Sequence, residues 1–244
     1  MFDPVTLIVI FLIIVCISSF VQGFSGFGAP LVMVPLLIIF ISSSVAVPIA
    51  LFFNILISTI ILVEARKHFS LKKIWPLLIA SIFGIPFGIL IFTSLNTFLL
   101  KVSIGLLIIF FGIALLFGIG KVIKKEKMAL LSVGFLGGLL NGFMAASAPP
   151  VALLLDNQKT KKDAFRTTLV TYFIILNIAT IVLFYLNGLI SFEIINYLTF
   201  LFPAAIIGTL LGIKLSKQFN DYYFRKIVLV MIIFVGIVAI LSAF

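Results

Sequence analysis

QGFSGFGAP, residues 22–30, separates two long apolar runs and packs three glycines, a serine, a glutamine and a proline into nine residues. Its surroundings make that unusual. Apolar residues form 64% of the 244-residue chain and charged residues only 10%. A soluble domain of this size cannot bury so much apolar surface, so the composition is that of an integral membrane protein. The runs 5–22, 45–64, 74–93, 98–118, 167–186, 194–213 and 227–243 each approach the ~20 residues that a membrane-crossing helix needs. Two less regular apolar stretches cover 27–42 and 129–155. The period-two alternation of an outer-membrane barrel is absent, which leaves an all-α class. Lipid penalises irregular backbone, because no water is present to pair its N–H and C=O groups. A break at 22–30 therefore calls for a reason.

The break occurs twice. Asn141-Gly-Phe-Met-Ala-Ala-Ser-Ala-Pro149 matches it at Gly23/Gly142, Phe24/Phe143 and Ala29-Pro30/Ala148-Pro149, and both stretches start on a side-chain amide. Further matches follow in the same order. Gly84 and Gly88 pair with Gly208 and Gly212, Asn96 with Asn220, Lys101 with Arg225, and IIFFGI at 108–113 with IIFVGI at 232–237. Shared order at a near-constant offset indicates an internal duplication. The expected halves are 1–120 and 128–244, joined by a basic linker at 121–127.

Charge then selects a topology. With eight plain helices, eight basic residues fall on one side and nine on the other, against the positive-inside rule. If residues 5–42 and 128–155 each form a hairpin that enters and leaves on one face, sixteen fall inside and Lys101 alone outside. The expected fold is thus two inverted repeats, each a broken or re-entrant helical hairpin followed by three transmembrane helices. The N-terminus is expected outside and the basic loops in the cytoplasm of a cell (inner or plasma) membrane. The start carries Asp3 rather than basic residues, and no small-residue cleavage site follows, so no cleavable signal is expected. The net charge of +10 reads as loop charge, not as a nucleic-acid surface. Cys16 is the single cysteine, which excludes an intramolecular disulfide.

Inverted repeats place broken helices near the midplane, where substrate binds. Gly23, Gly26 and Gly28 permit backbone geometries closed to other residues. Pro30 and Pro149 suit the first turn of a new helix. Two helix N-termini in a cavity would offer N–H donors and positive dipole ends to an anion. Ser25 and Ser147 add hydroxyls; Gln22 and Asn141 add amides. Neither hairpin holds a carboxylate, which disfavours a cation site. The competing explanation is that small residues let helices pack closely; it applies with equal force to Gly84/Gly88 and Gly208/Gly212, and with less to Gly23 and Gly142. Other polar residues within apolar runs are Asn54, Thr59, Thr171, Tyr172, Asn177 and Thr180. Asn54 and Tyr172 are the preferred substrate contacts, each on the helix after a hairpin. Arg166 opens the helix after the second hairpin, as an attractor of anions or as a plain loop charge. Substitution at Ser25 or Gly26 is expected to impair transport more than Gly88→Leu.

At QGFSGFGAPL, residues 22–31, and GGLLNGFMAASAPP, residues 137–150, the chain resembles the sulfite exporter TauE/SafE family of membrane permeases. The resemblance extends over nearly the whole chain. It implies transport of small sulfur-containing or organic anions such as sulfite, thiosulfate or sulfonates. Met144-Ala145-Ala146 replaces the glycine-rich core of the first stretch, so the two breaks are expected to contribute unequally. An interior-negative membrane drives each negative charge outward with about 2.3 kcal/mol per ~100 mV, which favours export. The expected partners are a small anionic substrate and membrane lipid, without nucleic acid. A homodimer is one option, and nothing in the sequence selects it. No cofactor or metal is expected.

Three rivals come from other classes. GFSG at 23–26 resembles the nucleophile string of an intramembrane serine protease, but the only histidine, His68, lies in a basic loop. An anion channel shares every signal used above. A metal-ion carrier would want carboxylates, histidines or thiolates at midplane.

Overall fold

In hydrocarbon each backbone N–H and C=O must find its partner inside its own segment, and the apolar runs accordingly fold as helices. The computed structural model describes residues 3–65, 74–117, 126–158, 162–218 and 221–243. Ten helices occur among them and no strand: α1 (Pro4–Ser25), α2 (Ala29–Leu37), α3 (Ser43–Glu64), α4 (Trp75–Ser94), α5 (Thr97–Leu116), α6 (Glu126–Met144), α7 (Ala148–Asn157), α8 (Lys162–Leu186), α9 (Phe192–Ser216) and α10 (Asp221–Leu241). Six of these, α1, α3, α4, α5, α8 and α9, are long and apolar enough to cross a membrane. The protein is a multi-pass membrane protein, and large side chains such as Phe83, Phe110, Phe200 and Phe234 stand exposed on its outer faces. Most of the loop charges used in the topology count lie outside the described residues: Arg66, Lys67, Lys72, Lys73, Lys121, Lys124, Lys125, Lys159 and Lys161.

Both expected breaks are present. α1 ends at Gly26, whose N–H donates to the Gln22 carbonyl at 2.7 Å, and α2 starts after Gly28. Gly26 has φ 86° and Gly28 φ 104°, conformations that cost little only without a Cβ. The second break has no glycine for this. Ala145, in the position of Gly26, takes φ 58°, and its N–H donates to the Asn141 carbonyl at 2.9 Å. An alanine there carries about 1–2 kcal/mol of strain. Ala145→Gly should therefore raise thermal stability in detergent by about 0.5–1 kcal/mol, the strain relief less the entropy of a glycine; a lowered melting temperature would contradict that account. The return arms are short. α2 has 9 residues and α7 has 10. At 1.5 Å per residue they reach about 14 and 15 Å, half of a ~30 Å hydrocarbon core. Each hairpin is thus a long arm and a half-length arm.

The first helix of each half packs on the fourth helix of the other: α1 on α9, and α6 on α4. Glycines bring the backbones together. Gly208 lies against the backbone of Cys16, Gly212 against Phe20 and Gly23, and Gly23 against Thr209. In the other pair Gly134 lies against Leu77, Gly138 against Ser81, Gly84 against Phe135, Gly88 against Leu139 and Gly142 against Ile85. Residue numbers rise together along both contacts, so the helices of each pair run in the same direction. α5 and α10 run oppositely, because Gly105 meets Ile240 while Gly112 meets Ile233. α2 packs on α10 and α7 on α5, and α3 and α8 pack on each other at the centre.

Candidate functional site

Two buried polar clusters lie beside the breaks. In the first, Gln22 on α1 donates through Nε2 to Asn54 Oδ1 at 2.7 Å and to Ser58 Oγ at 3.0 Å, both on α3. Its Oε1 accepts from the Ala29 N–H at 3.2 Å. One side chain therefore ties the broken helix to α3 and caps the start of α2. Ser58 Oγ also donates to Asn54 Oδ1 at 3.2 Å.

The second cluster repeats the plan with shorter reach. Asn141 on α6 donates through Nδ2 to Asn177 Oδ1 at 3.0 Å and to Thr180 Oγ1 at 2.8 Å, both on α8. Asn141 is one methylene shorter than Gln22, and its Oδ1 caps nothing. Asn141 Oδ1, Asn177 Nδ2 and Ser147 Oγ are buried with no hydrogen-bond partner in the protein. Ser147 is the N-cap residue of α7 and makes no side-chain cap. Pro149 and Pro150 follow Ala148, so the first turn of α7 lacks two of its N–H donors. All six amide-cluster residues, Gln22, Asn54, Ser58, Asn141, Asn177 and Thr180, are sealed at 2% exposure or less.

One helix, α8, meets both breaks. α8 reaches the first break through Arg166, whose Nη2 donates to the Gly23 carbonyl and whose Nη1 donates to Ser216 Oγ at 3.1 Å. It reaches the second cluster through Asn177, which is 177 − 166 = 11 residues further on. That separation is about 16 Å along the helix. Arg166 is only 8% exposed and is built into the end of α1 rather than lying in a loop. A Cβ on Gly26 would lie 2.9 Å from Arg166 Cγ. Beside this end of the molecule, Lys217 Nζ and Glu64 Oε1 pair at 2.6 Å between α9 and α3.

The remaining expected residues divide. Ser25 Oγ donates to the carbonyls of Val21 and Phe27 at 2.7 and 2.6 Å, which makes it part of the turn. Gly23 and Gly142 face α9 and α4, where a Cβ would overlap backbone, so helix packing accounts for them. Gly28 has room for a Cβ and is required by its φ alone. Pro30 and Pro149 sit in the first turns of α2 and α7, as expected. The Tyr172 hydroxyl lies beside the second break, since a Cβ on Gly137 would meet both it and the Ser147 carbonyl oxygen. That hydroxyl is 2.8 Å from Ser81 Oγ, and Ser81 Oγ is 2.8 Å from the Gly134 carbonyl, at the α4–α6 contact. Ser58, Ser81 and Ser216 were not singled out in the sequence. Only Ser58 carried a signal, four residues after Asn54 on one helix face.

Among the described residues no group of three or more histidines, cysteines, aspartates or glutamates could hold a metal ion. His68, the base a Ser25 nucleophile would need, lies outside them.

A family model described as sulfite exporter TauE/SafE matches residues 10–239, nearly the full chain. No curated protein and no solved structure gives a match. The chain belongs to the TauE/SafE sulfite exporter family.

Proposed function

We propose that the protein is a permease that exports small sulfur-containing or organic anions, such as sulfite, thiosulfate or sulfonates, by alternating access. The observation that carries this is the pair of amide-led clusters sealed inside a membrane bundle, each beside a helix break and each linking that break to a central helix, α3 or α8. Polar side chains at that depth are costly and mark transport paths. The family membership supplies the substrate class. Complete burial of both clusters fits an occluded carrier better than an open channel. We place the substrate site beside one of the two breaks, the polar cluster beside the other bracing the bundle.

The proposed architecture is two inverted repeats, 1–120 and 128–244, joined by the basic linker 121–127. Its support is the packing. α5 and α10 occupy equivalent places in the two halves and run oppositely, while the α1–α9 and α2–α10 contacts have their counterparts in α6–α4 and α7–α5. The N-terminus is placed outside, with the basic loops cytoplasmic. The partners are the small anion and membrane lipid. Single-particle size in lipid nanodiscs would distinguish monomer from homodimer.

The test is flux. Purified protein in sulfite-loaded liposomes is expected to give saturable efflux, accelerated by a potential that is negative inside. Efflux no faster than from protein-free liposomes, across sulfite, thiosulfate and a short sulfonate, would remove the proposal.

A further inference from the structure

The two breaks differ in what they leave unpaired. Gln22 uses both ends of its amide. Asn141 uses only its donor end, and three polar atoms at the second break and its cluster have no partner in the protein: an acceptor, Asn141 Oδ1; a donor, Asn177 Nδ2; and the hydroxyl of the α7 N-cap residue, Ser147 Oγ. Asn141 and Asn177 are wholly buried and Ser147 is 1% exposed. An unpaired polar group at that depth costs about 1–3 kcal/mol, so three beside one break need a compensating ligand. Exchanging the oxygen and nitrogen of both amides leaves one donor and one acceptor over again.

The complement of this set is specific. A ligand must accept from Asn177 and donate to Asn141, with Ser147 able to do either. Among the described residues no cationic side chain joins them. Among the described residues the buried charged one is Arg166, about 16 Å away along α8. The α7 N-terminus contributes its dipole, but Pro149 and Pro150 remove two donors. A dianion would face the Asn141 carbonyl oxygen with nothing to offset its second charge.

We infer that Asn141, Asn177 and Ser147 form the substrate subsite, and that it takes a monoanionic oxyacid still carrying one hydroxyl, hydrogen sulfite rather than the sulfite dianion. The first break, with Gln22, Asn54 and Ser58, is its self-satisfied structural counterpart. This rests on the permease proposal and narrows it. Thiosulfate, a dianion without a hydroxyl, becomes a poor ligand. Methanesulfonate, a monoanion without a donor, falls between.

The experiment is calorimetric titration of sulfite into the full-length protein in nanodiscs at about pH 6 and about pH 9, with flux measured in parallel. The apparent Kd in total sulfite is expected to rise about tenfold for each pH unit above the pKa of hydrogen sulfite, and to stay constant when expressed as hydrogen sulfite. Methanesulfonate should bind at least about tenfold more weakly than sulfite at the lower pH, having no hydroxyl for Asn141. A Kd in total sulfite that is flat or falls with pH overturns the subsite and leaves the permease proposal standing. Wild-type protein that binds with this pH dependence but gives no flux overturns the permease and keeps the subsite. Neither binding nor flux overturns both. Asn177→Leu should raise Kd at least about tenfold while Asn54→Leu leaves it within about twofold, since only the former removes an unpaired donor; the reverse pattern overturns the assignment. If a leucine variant fails to fold, the wild-type pH comparison decides alone.

Discussion

Gly88→Leu should leave almost no folded protein to recover from the membrane. A Cβ at Gly88 already overlaps the Leu139 carbonyl and lies 2.9 Å from the Phe143 N–H nitrogen. Both are backbone atoms of a neighbouring helix, so no rotamer change relieves the contact. Overpacking a tight interior costs about 1–3 kcal/mol even where side chains can shift, and here α6 itself must move. A loss of at least ~3 kcal/mol corresponds to a fall of about 10 °C in melting temperature for a chain of this size. Size-exclusion of a fluorescent fusion in mild detergent reads this directly. A monodisperse peak at wild-type height would mean that the α4–α6 contact is looser than described. The sequence suggested the opposite ranking, with Gly26→Leu the more harmful to transport. Gly26→Leu combines backbone strain at φ 86° with a contact on the flexible Arg166 side chain, whereas Gly88 meets backbone alone.

Gln22→Leu should be the most destabilising change among the cluster residues. It removes three hydrogen bonds and strands the Ala29 N–H, while Asn54 Oδ1 keeps the Ser58 hydroxyl as a donor. Stranded buried groups cost about 1–3 kcal/mol each. Interhelical bonds measured in membranes average nearer ~0.6 kcal/mol, which puts the expected loss at about 3 kcal/mol. Asn141→Leu removes two bonds and no cap, so about 1 kcal/mol is expected of it. Thermal unfolding of the two variants in the same detergent tests the contrast, and equal losses would contradict it. The double variant Gln22→Leu/Asn54→Leu should recover part of the loss, because replacing both partners leaves fewer orphans.

Much of this was legible in the sequence. The runs of apolar residues set the helices to within a few positions, because lipid permits little else. The doubled Gly-Phe and Ala-Pro pairs located both breaks. Asn54, Asn177 and Thr180 stood out as polar residues in apolar runs, and the structure gathers them around Gln22 and Asn141. Other assignments failed for identifiable reasons. Gly23 and Gly142 sit in the two breaks, yet their neighbours, Thr209 and Ile85, lie on helices far away in chain order. A string of letters does not reveal such neighbours. Ala145 has left-handed backbone without the residue that normally announces it. Arg166 looks like a loop charge because it follows three lysines, but the turn of α8 carries it under the end of α1. Tyr172 and Asn177 lie on the same helix, and only their orientation separates a packing contact from a polar cluster.

The exchange of first and fourth helices has a consequence for biogenesis. α1 leaves the ribosome early, but its glycine-flattened partner α9 is among the last helices to be made. α4 likewise waits for α6. Neither half can finish its own interior, so the newborn first half must persist in the membrane with two close-packing faces uncovered. Insertion factors that shelter such faces, or a second nascent chain that occupies them wrongly, would decide the yield of the protein before any question of its transport arises.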